Sequence, residues 1–229
     1  MSALREETGA AASPSARSVR LEARDLGHRY GRRVGLEPLS FEVAAPGVVA
    51  VTGSNGTGKS TLLKIVAGLL RPSRGGTTLT FDGRVVAPAR RPGWVGYAGP
   101  ELAFYSEFGV AENLSFAAAA RGLPAAPARV AQSLERVGLG SRAGDPVAAL
   151  SSGMVQRLRL AFALLHEPML LLLDEPGSHL DDEGRAVLRS IVVEQGRATL
   201  VLIATNDERE WGLAERRIEL AGSGLGHTS

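Results

Sequence analysis

Residues 53–61, "GSNGTGKST", combine glycines, a lysine and hydroxyl side chains in a spacing that suits a phosphate chain. The stretch satisfies G-x-x-x-x-G-K-[ST], with Gly58, Lys59 and Ser60 at fixed positions. Glycines let successive backbone N–H groups turn inward around phosphates, and the positive end of the following helix points to the same place. Lys59 would reach the β- and γ-phosphates, and the Ser60 hydroxyl would bind Mg²⁺. The predicted nucleotide-binding residues of the loop are Gly53, Ser54, Asn55, Gly56, Thr57, Gly58, Lys59, Ser60 and Thr61.

Lysine is almost absent from the rest of the chain. Of the 26 basic residues, only Lys59 and Lys64 are lysines. One of them occupies the motif position where a phosphate chain needs an ammonium group, which favours function over composition bias. A chance glycine-rich turn is the alternative for the loop, but a short apolar run precedes it and a helical pattern follows it, as the motif requires.

A pair of adjacent carboxylates, Asp174 and Glu175, ends the apolar run "LLLLDEP". Ligands bind at the carboxyl ends of the strands in parallel sheets. Neighbouring residues on a strand point to opposite faces, so the two acids need separate roles. Asp174 would hold Mg²⁺ through water, and Glu175 would act as the general base on the attacking water. The alternative is a solvated strand end with ordinary capping acids.

The order of strand and helix patterns predicts one α/β domain with a mainly parallel core sheet. We place this domain at 19–221, with helical patterns inserted at about 98–157. The ends, 1–18 and 222–229, are predicted to be a disordered and a flexible tail.

Composition excludes several classes of protein. The 229 residues contain no cysteine, so disulfides and thiolate metal sites are absent, which fits a cytosolic location. A formal net charge of +2 is too small to indicate a nucleic-acid partner. No apolar run approaches the roughly 20 residues that a membrane-spanning helix needs, and the N-terminus is not a secretory signal.

The stretch "LSSGMVQRLRLAFALL" begins shortly before "LLLLDEP". Together with the two motifs above, it makes a resemblance to one known family specific. Residues 19–221 resemble the nucleotide-binding subunit of an ATP-binding-cassette (ABC) transporter. The family signature is usually L-S-G-G-Q, and this chain has the variant Leu150–Met154, "LSSGM". The resemblance implies a P-loop NTPase with an N-terminal antiparallel β subdomain and an inserted helical subdomain, with ATP and Mg²⁺ as cofactors. It also implies that Ser151, Ser152 and Gly153 cap the γ-phosphate of ATP held by the other subunit of a head-to-tail dimer.

Other family positions match to different degrees. Tyr30 matches the aromatic residue that stacks on adenine, although a buried core tyrosine is the alternative. The loop that normally begins with a glutamine has Pro100 or Glu101 in that place, and Glu101 could still approach Mg²⁺. The family's switch histidine is replaced by Asn206, which can donate a neutral hydrogen bond but carries no proton. We expect Asn206 to be catalytic but slower than histidine.

The resemblance therefore predicts an ATP-hydrolysing transporter subunit on the inner face of the cell membrane. Its partners would be a second copy or a related ATPase subunit, together with integral-membrane subunits. Among family members, the chain looks most similar to small export ATPases such as the haem exporter of cytochrome c maturation. Two alternatives stay open: a soluble ABC protein acting on ribosomes or DNA, and a nucleotide-binding regulator with weak hydrolysis.

Overall fold

The computed structural model describes residues 18–221, so the predicted tails lie outside it except for residue 18. The described residues form two sheets. The strands are β1 (Val19–Tyr30), β2 (Arg33–Ala44), β3 (Gly47–Thr52), β4 (Arg74–Phe81), β5 (Arg84–Val85), β6 (Val95–Ala98), β7 (Leu170–Asp174), β8 (Leu200–Ala204) and β9 (Arg216–Glu219). One sheet is antiparallel with strand order β2-β1-β4-β5, and the other is parallel with order β6-β7-β8-β3-β9.

The parallel sheet places the motifs at one edge. Its central strands β7, β8 and β3 are buried along their whole length, as expected for a sheet covered on both faces. Since all three run in the same direction, their carboxyl ends meet. The phosphate loop follows β3, the acidic pair ends β7, and Asn206 follows β8. The predicted α/β class with a mainly parallel sheet and an N-terminal antiparallel sheet is confirmed.

Helices cover both faces of this sheet. They are α1 (Lys59–Ala67), α2 (Val110–Ala120), α3 (Ala126–Arg136), α4 (Ser152–Leu164), α5 (Asp182–Ala198) and α6 (Glu208–Trp211). Alternate residues of β7 enter different cores: Leu171 packs with α2–α5, whereas Leu172 packs with α1 and the antiparallel sheet. Three helices, α2–α4, lie between β6 and β7, where the sequence predicts the insertion, and α4 continues past its predicted boundary at 157. Within the described residues, no helix has the length and apolar character needed to cross a membrane.

Candidate functional site

The phosphate loop leaves β3 in a conformation that depends on glycine. Gly58 has a φ of 103°, a left-handed value that disfavours side chains. A Cβ on Gly58 would also overlap the Gly35 carbonyl oxygen of the neighbouring strand. The loop can therefore lie close to β2, and α1 begins directly at Lys59 with its free N–H groups at the loop. This is the strand, loop and helix arrangement that the motif requires.

Lys59 supplies a buried positive charge at the centre of the loop. Its side chain is only 5% exposed, and Nζ donates to the Gly53 carbonyl oxygen at 2.7 Å and to that of Ser54 at 3.4 Å. Among residues 18–221 no carboxylate forms an ion pair with it. A buried ammonium held only by carbonyl dipoles is suited to an anionic ligand.

Asp174 provides a test of the predicted Mg²⁺ site. The residue is 2% exposed, and its Oδ1 is buried without a hydrogen-bond partner among the described residues. Burial raises the pKa of Asp174, whereas the Ser60 hydroxyl and Tyr97 act in the opposite direction. Tyr97 donates from its hydroxyl to Oδ2 at 3.4 Å, and its own pKa is raised by burial and by Asp174. A bare carboxylate oxygen beside a serine hydroxyl fits a hard cation such as Mg²⁺.

Glu175 turns away from the strand that Asp174 completes. Its φ of 48° is left-handed, which is uncommon for a residue with a side chain and is typical of functional sites. Its backbone N–H donates to the Ala204 carbonyl oxygen at 2.8 Å, and its own carbonyl oxygen accepts from Gln156 Nε2 at 3.5 Å. The two acids thus have different surroundings: Asp174 is enclosed, whereas Glu175 is exposed and lines a cavity.

That cavity, of about 310 Å³, joins the phosphate loop to Tyr30 and Glu175. Tyr30 is 48% exposed, so the buried-core alternative does not apply, and its hydroxyl lies 3.4 Å from Thr61 Oγ1. Its ring faces the side-chain-free surface of Gly35. The residues that line the cavity are Tyr30, Arg33, Gly35, Asn55, Gly56, Gly58, Lys59, Ser60, Thr61 and Glu175.

Asn206 lines a second cavity of about 320 Å³, which shares Asn55 and Glu175 with the first. Its amide Nδ2 donates to Asn55 Oδ1 at 3.0 Å. The tip of β8 is therefore bonded to the phosphate loop, at a separation of 151 residues along the chain. This geometry brings Asn206 to the same edge as Lys59 and Glu175.

The signature residues do not reach either cavity within one chain. Ser151 caps the N-terminus of α4 and its Oγ accepts from the Met154 N–H at 3.2 Å. Ser151 and Ser152 are exposed, and Gly153 packs against the His179 carbonyl oxygen, where a Cβ would lie 2.8 Å away. Their exposed helix N-terminus is free to meet an anion from outside the chain.

Glu101, which the sequence predicts could approach Mg²⁺, lies beside Lys64. Its carboxylate pairs with Lys64 Nζ at 2.5 Å. It also contributes to the raised pKa of Tyr97, the residue that donates to Asp174 Oδ2, and its approach to Mg²⁺ stays a prediction. The surrounding loop is fixed from α4, where Arg159 donates to the carbonyl oxygens of Pro100 and Leu102, each at 3.0 Å. Glu101 remains exposed on this loop.

Several residues of the site are not predicted from the sequence. Arg33 lines the first cavity, and Gln156 Nε2 donates to the Pro176 carbonyl oxygen at 3.1 Å. Arg185 and Glu210 line the second cavity. Arg33 could have been found from the hairpin turn at residues 31–32, which pairs it with Tyr30. The other three act across long sequence separations and leave no local signal.

Comparison with known proteins places these features in one family. Residues 36–178 match the family model described as "ABC transporter". An aliphatic sulfonates import ATP-binding protein of Pseudomonas aeruginosa (strain UCBPP-PA14) is 37% identical over 210 residues, which cover 91% of this chain and 74% of that protein. An Fe(3+) ions import ATP-binding protein of Streptomyces coelicolor is 41% identical over 196 residues. That match covers 82% of this chain but only 55% of the relative, so the chain spans about half of it.

Solved structures share the architecture. The chain is 29% identical to one described as the ATP binding subunit of an ABC transporter, with a TM-score of 0.75 and coverage of 87% of this chain and 85% of the other. A dimeric ATP-binding cassette in a post-hydrolysis state, bound to ADP and Pi, has a TM-score of 0.77 at 20% identity. It covers 87% of this chain and 94% of the other, and at this identity the likeness concerns the fold.

Proposed function

The chain belongs to the ABC transporter family as an ATP-binding, ATP-hydrolysing subunit, and we propose that it works in a head-to-tail pair on separate membrane subunits. The observation that carries the proposal is the continuous cavity from Tyr30 to Glu175, with the buried ammonium of Lys59 between them. A nucleotide triphosphate has the matching order of groups: an aromatic base, a chain of anionic phosphates and a terminal reacting phosphate.

Each residue then has a distinct task in binding and hydrolysis. Tyr30 stacks on adenine, while Lys59 and the loop N–H groups bind the β- and γ-phosphates. Ser60 and Asp174 would hold Mg²⁺, which would neutralise charge on the phosphate oxygens. The Glu175 carboxylate accepts a proton from the water that attacks the γ-phosphate, and the Asn206 amide orients the terminal phosphate.

The second chain completes the site in this proposal. Ser151, Ser152 and Gly153 of one chain bind the γ-phosphate held by the phosphate loop of the other, as the exposed cap of α4 allows. ATP then closes the pair and hydrolysis reopens it, which moves the membrane subunits between two states. The pair would sit peripherally on the inner face of the cell membrane.

Cargo and direction are a separate matter. The export prediction, with haem as cargo, gains no support from the two curated relatives above, which are both named for import. Their sulfonate and iron cargoes belong to those proteins. The proposal is therefore limited to ATP-powered transport through separate membrane subunits.

The test compares the purified protein with a Glu175→Gln variant. We expect the wild type to hydrolyse MgATP and the variant to bind it with similar affinity while turnover falls about a hundredfold or more, the scale of losing a general base. The variant should also elute as a dimer on size-exclusion chromatography with ATP and as a monomer without it. Equal turnover in the two proteins would contradict the proposal.

The weak-hydrolysis alternative has its own supporting observations. Asn206 cannot titrate, and Glu101 is drawn to Lys64 in the loop where the family has glutamine. A regulator of this kind would bind MgATP tightly but turn over no faster than its Glu175→Gln variant, so the same measurement separates the two functions.

A further inference from the structure

Glu210 is a buried acid that the proposed chemistry does not use. It is 6% exposed, and its Oε2 has no hydrogen-bond partner among the described residues. Burial raises the pKa of Glu210, and hydrogen bonds from the Thr205 hydroxyl and the Gly177 backbone N–H oppose that rise. Burying a carboxylate costs free energy, so such a residue needs a compensating role.

The carboxylate lies between two loops of the site. A Cβ on Gly177 would overlap Glu210 Oε1, so the acid occupies the space where any other residue would place its side chain. Gly177 is two residues after Glu175, and Thr205 directly precedes Asn206. One carboxylate therefore contacts both the loop of the general base and the tip that meets the γ-phosphate.

Neighbouring contacts also hold the loop after β7 and the segment after β8 in place. Arg185 Nη1 pairs with Asp207 Oδ2 at 3.1 Å, and the Asp207 N–H donates to Thr205 Oγ1 at 2.9 Å. The Thr205 hydroxyl, which lowers the pKa of Glu210, is thus also the acceptor of the Asp207 N–H. On the opposite side, Gln156 holds the carbonyl oxygens of Glu175 and Pro176. The loop after β7 is therefore fixed from α4 on one side and from α6 on the other.

We propose that Glu210 is a positioning residue for hydrolysis, which holds the loop of Glu175 against the tip that carries Asn206. The inference rests on the proposed function, since it assigns a role within that reaction. Without the carboxylate, the Gly177 N–H loses its acceptor and the loop is free to shift. Small misplacement of a general base costs up to about a hundredfold in rate.

The test uses three substitutions in α6. Glu210→Ala removes the acceptor, Glu210→Gln keeps an oxygen for the Gly177 N–H, and Glu208→Ala removes an exposed acid of the same helix as a matched control. We expect Glu210→Ala to lower kcat about 10- to 100-fold, with the Kd for a fluorescent ATP analogue within about twofold of wild type. Glu210→Gln should recover most of kcat, and Glu208→Ala should behave as wild type.

A second readout does not depend on activity. Hydrogen exchange at the backbone amides of residues 177–180 should be faster in Glu210→Ala than in wild type or Glu208→Ala. The inference is overturned if exchange is unchanged, if kcat of Glu210→Ala stays within about twofold of the control, or if ATP binding is lost together with kcat. Wild-type turnover no higher than that of Glu175→Gln would instead refute the proposed function, and the exchange result would still decide the role of Glu210.

Discussion

Asn206 occupies the position where the family resemblance predicts a histidine. Its neutral amide donates to Asn55 Oδ1, and a longer imidazole would reach further towards a terminal phosphate. We expect Asn206→His to raise kcat about tenfold, since a charge-assisted hydrogen bond is worth about 1.5 kcal/mol. The variant should also gain a pH dependence near the usual histidine pKa of about 6.5. Steady-state ATPase assays across pH, with Asn206→Ala as reference, measure both effects. Turnover of Asn206→His at or below that of Asn206→Ala would contradict this prediction.

Arg33 offers a second test at the residue scale. The turn between β1 and β2 pairs it with Tyr30, and it lines the same cavity as Tyr30, whereas its neighbour Arg32 does not line the cavity. Arg33→Ala should raise the Kd for ATP and ADP by a similar factor of about fivefold, the scale of an exposed ion pair. Because the γ-phosphate is not involved, kcat should stay near wild type. Arg32→Ala, which removes the same charge, should bind as wild type, and equal losses in both variants would point to net charge alone.

At the scale of elements, α1 depends on an arginine from outside the helix. Arg91 is 1% exposed and its Nη1 donates to the carbonyl oxygens of Ile65 and Val66, at 3.3 and 3.1 Å. It also donates from Nη2 to the Thr77 carbonyl oxygen at 2.8 Å, so it links the end of α1 to β4. Ile65 and Val66 lie in the last turn of α1, where a positive charge is favourable, and the Ile65 carbonyl oxygen also accepts from the Gly68 N–H at 3.0 Å.

Removal of this link should destabilise the whole chain. We expect Arg91→Ala to lower the free energy of unfolding by about 3 kcal/mol, because several buried carbonyl oxygens lose a charged donor. Arg90→Ala, at an exposed neighbouring position, should change it by less than about 0.5 kcal/mol. Urea denaturation followed by circular dichroism measures both, and a loss in Arg91→Ala no larger than in Arg90→Ala would show that the link carries no stability.

The elements that the sequence predicts are those with local signals. The apolar run before the phosphate loop marks β3, and the run in "LLLLDEP" marks β7. By contrast, β6 and β9 have four residues each, and their pairing with β7 and β3 comes from tertiary structure that no local pattern encodes. The residues of the site also fall into those with a local sequence signal and those without one. The phosphate loop and the acidic pair are contiguous motifs, whereas Glu210 reaches Gly177 from a separate helix.

At the scale of the whole molecule, the residues proposed to bind one ATP do not all lie together in one chain. In one chain the phosphate loop and Glu175 share a cavity, while Ser151 caps a helix that lines neither cavity. If the head-to-tail arrangement holds, each complete site takes Lys59 from one chain and Ser151 from the other. A site of this kind can be rebuilt from two chains that are each defective at a different position.

Mixing of two variants tests this arrangement directly. Lys59→Ala removes the phosphate-binding ammonium. Ser151→Asp keeps a good helix cap but places a negative charge against the γ-phosphate. Each variant alone should be inactive, because both sites of its dimer are defective. In an equimolar mixture about half of the dimers are mixed, and each mixed dimer has one intact and one doubly defective site, so ATPase activity should recover to about a quarter of wild type. Recovery that rises with protein concentration supports the paired site. An inactive mixture would contradict the paired site, and wild-type activity of Ser151→Asp alone would mean that hydrolysis takes place within a single chain.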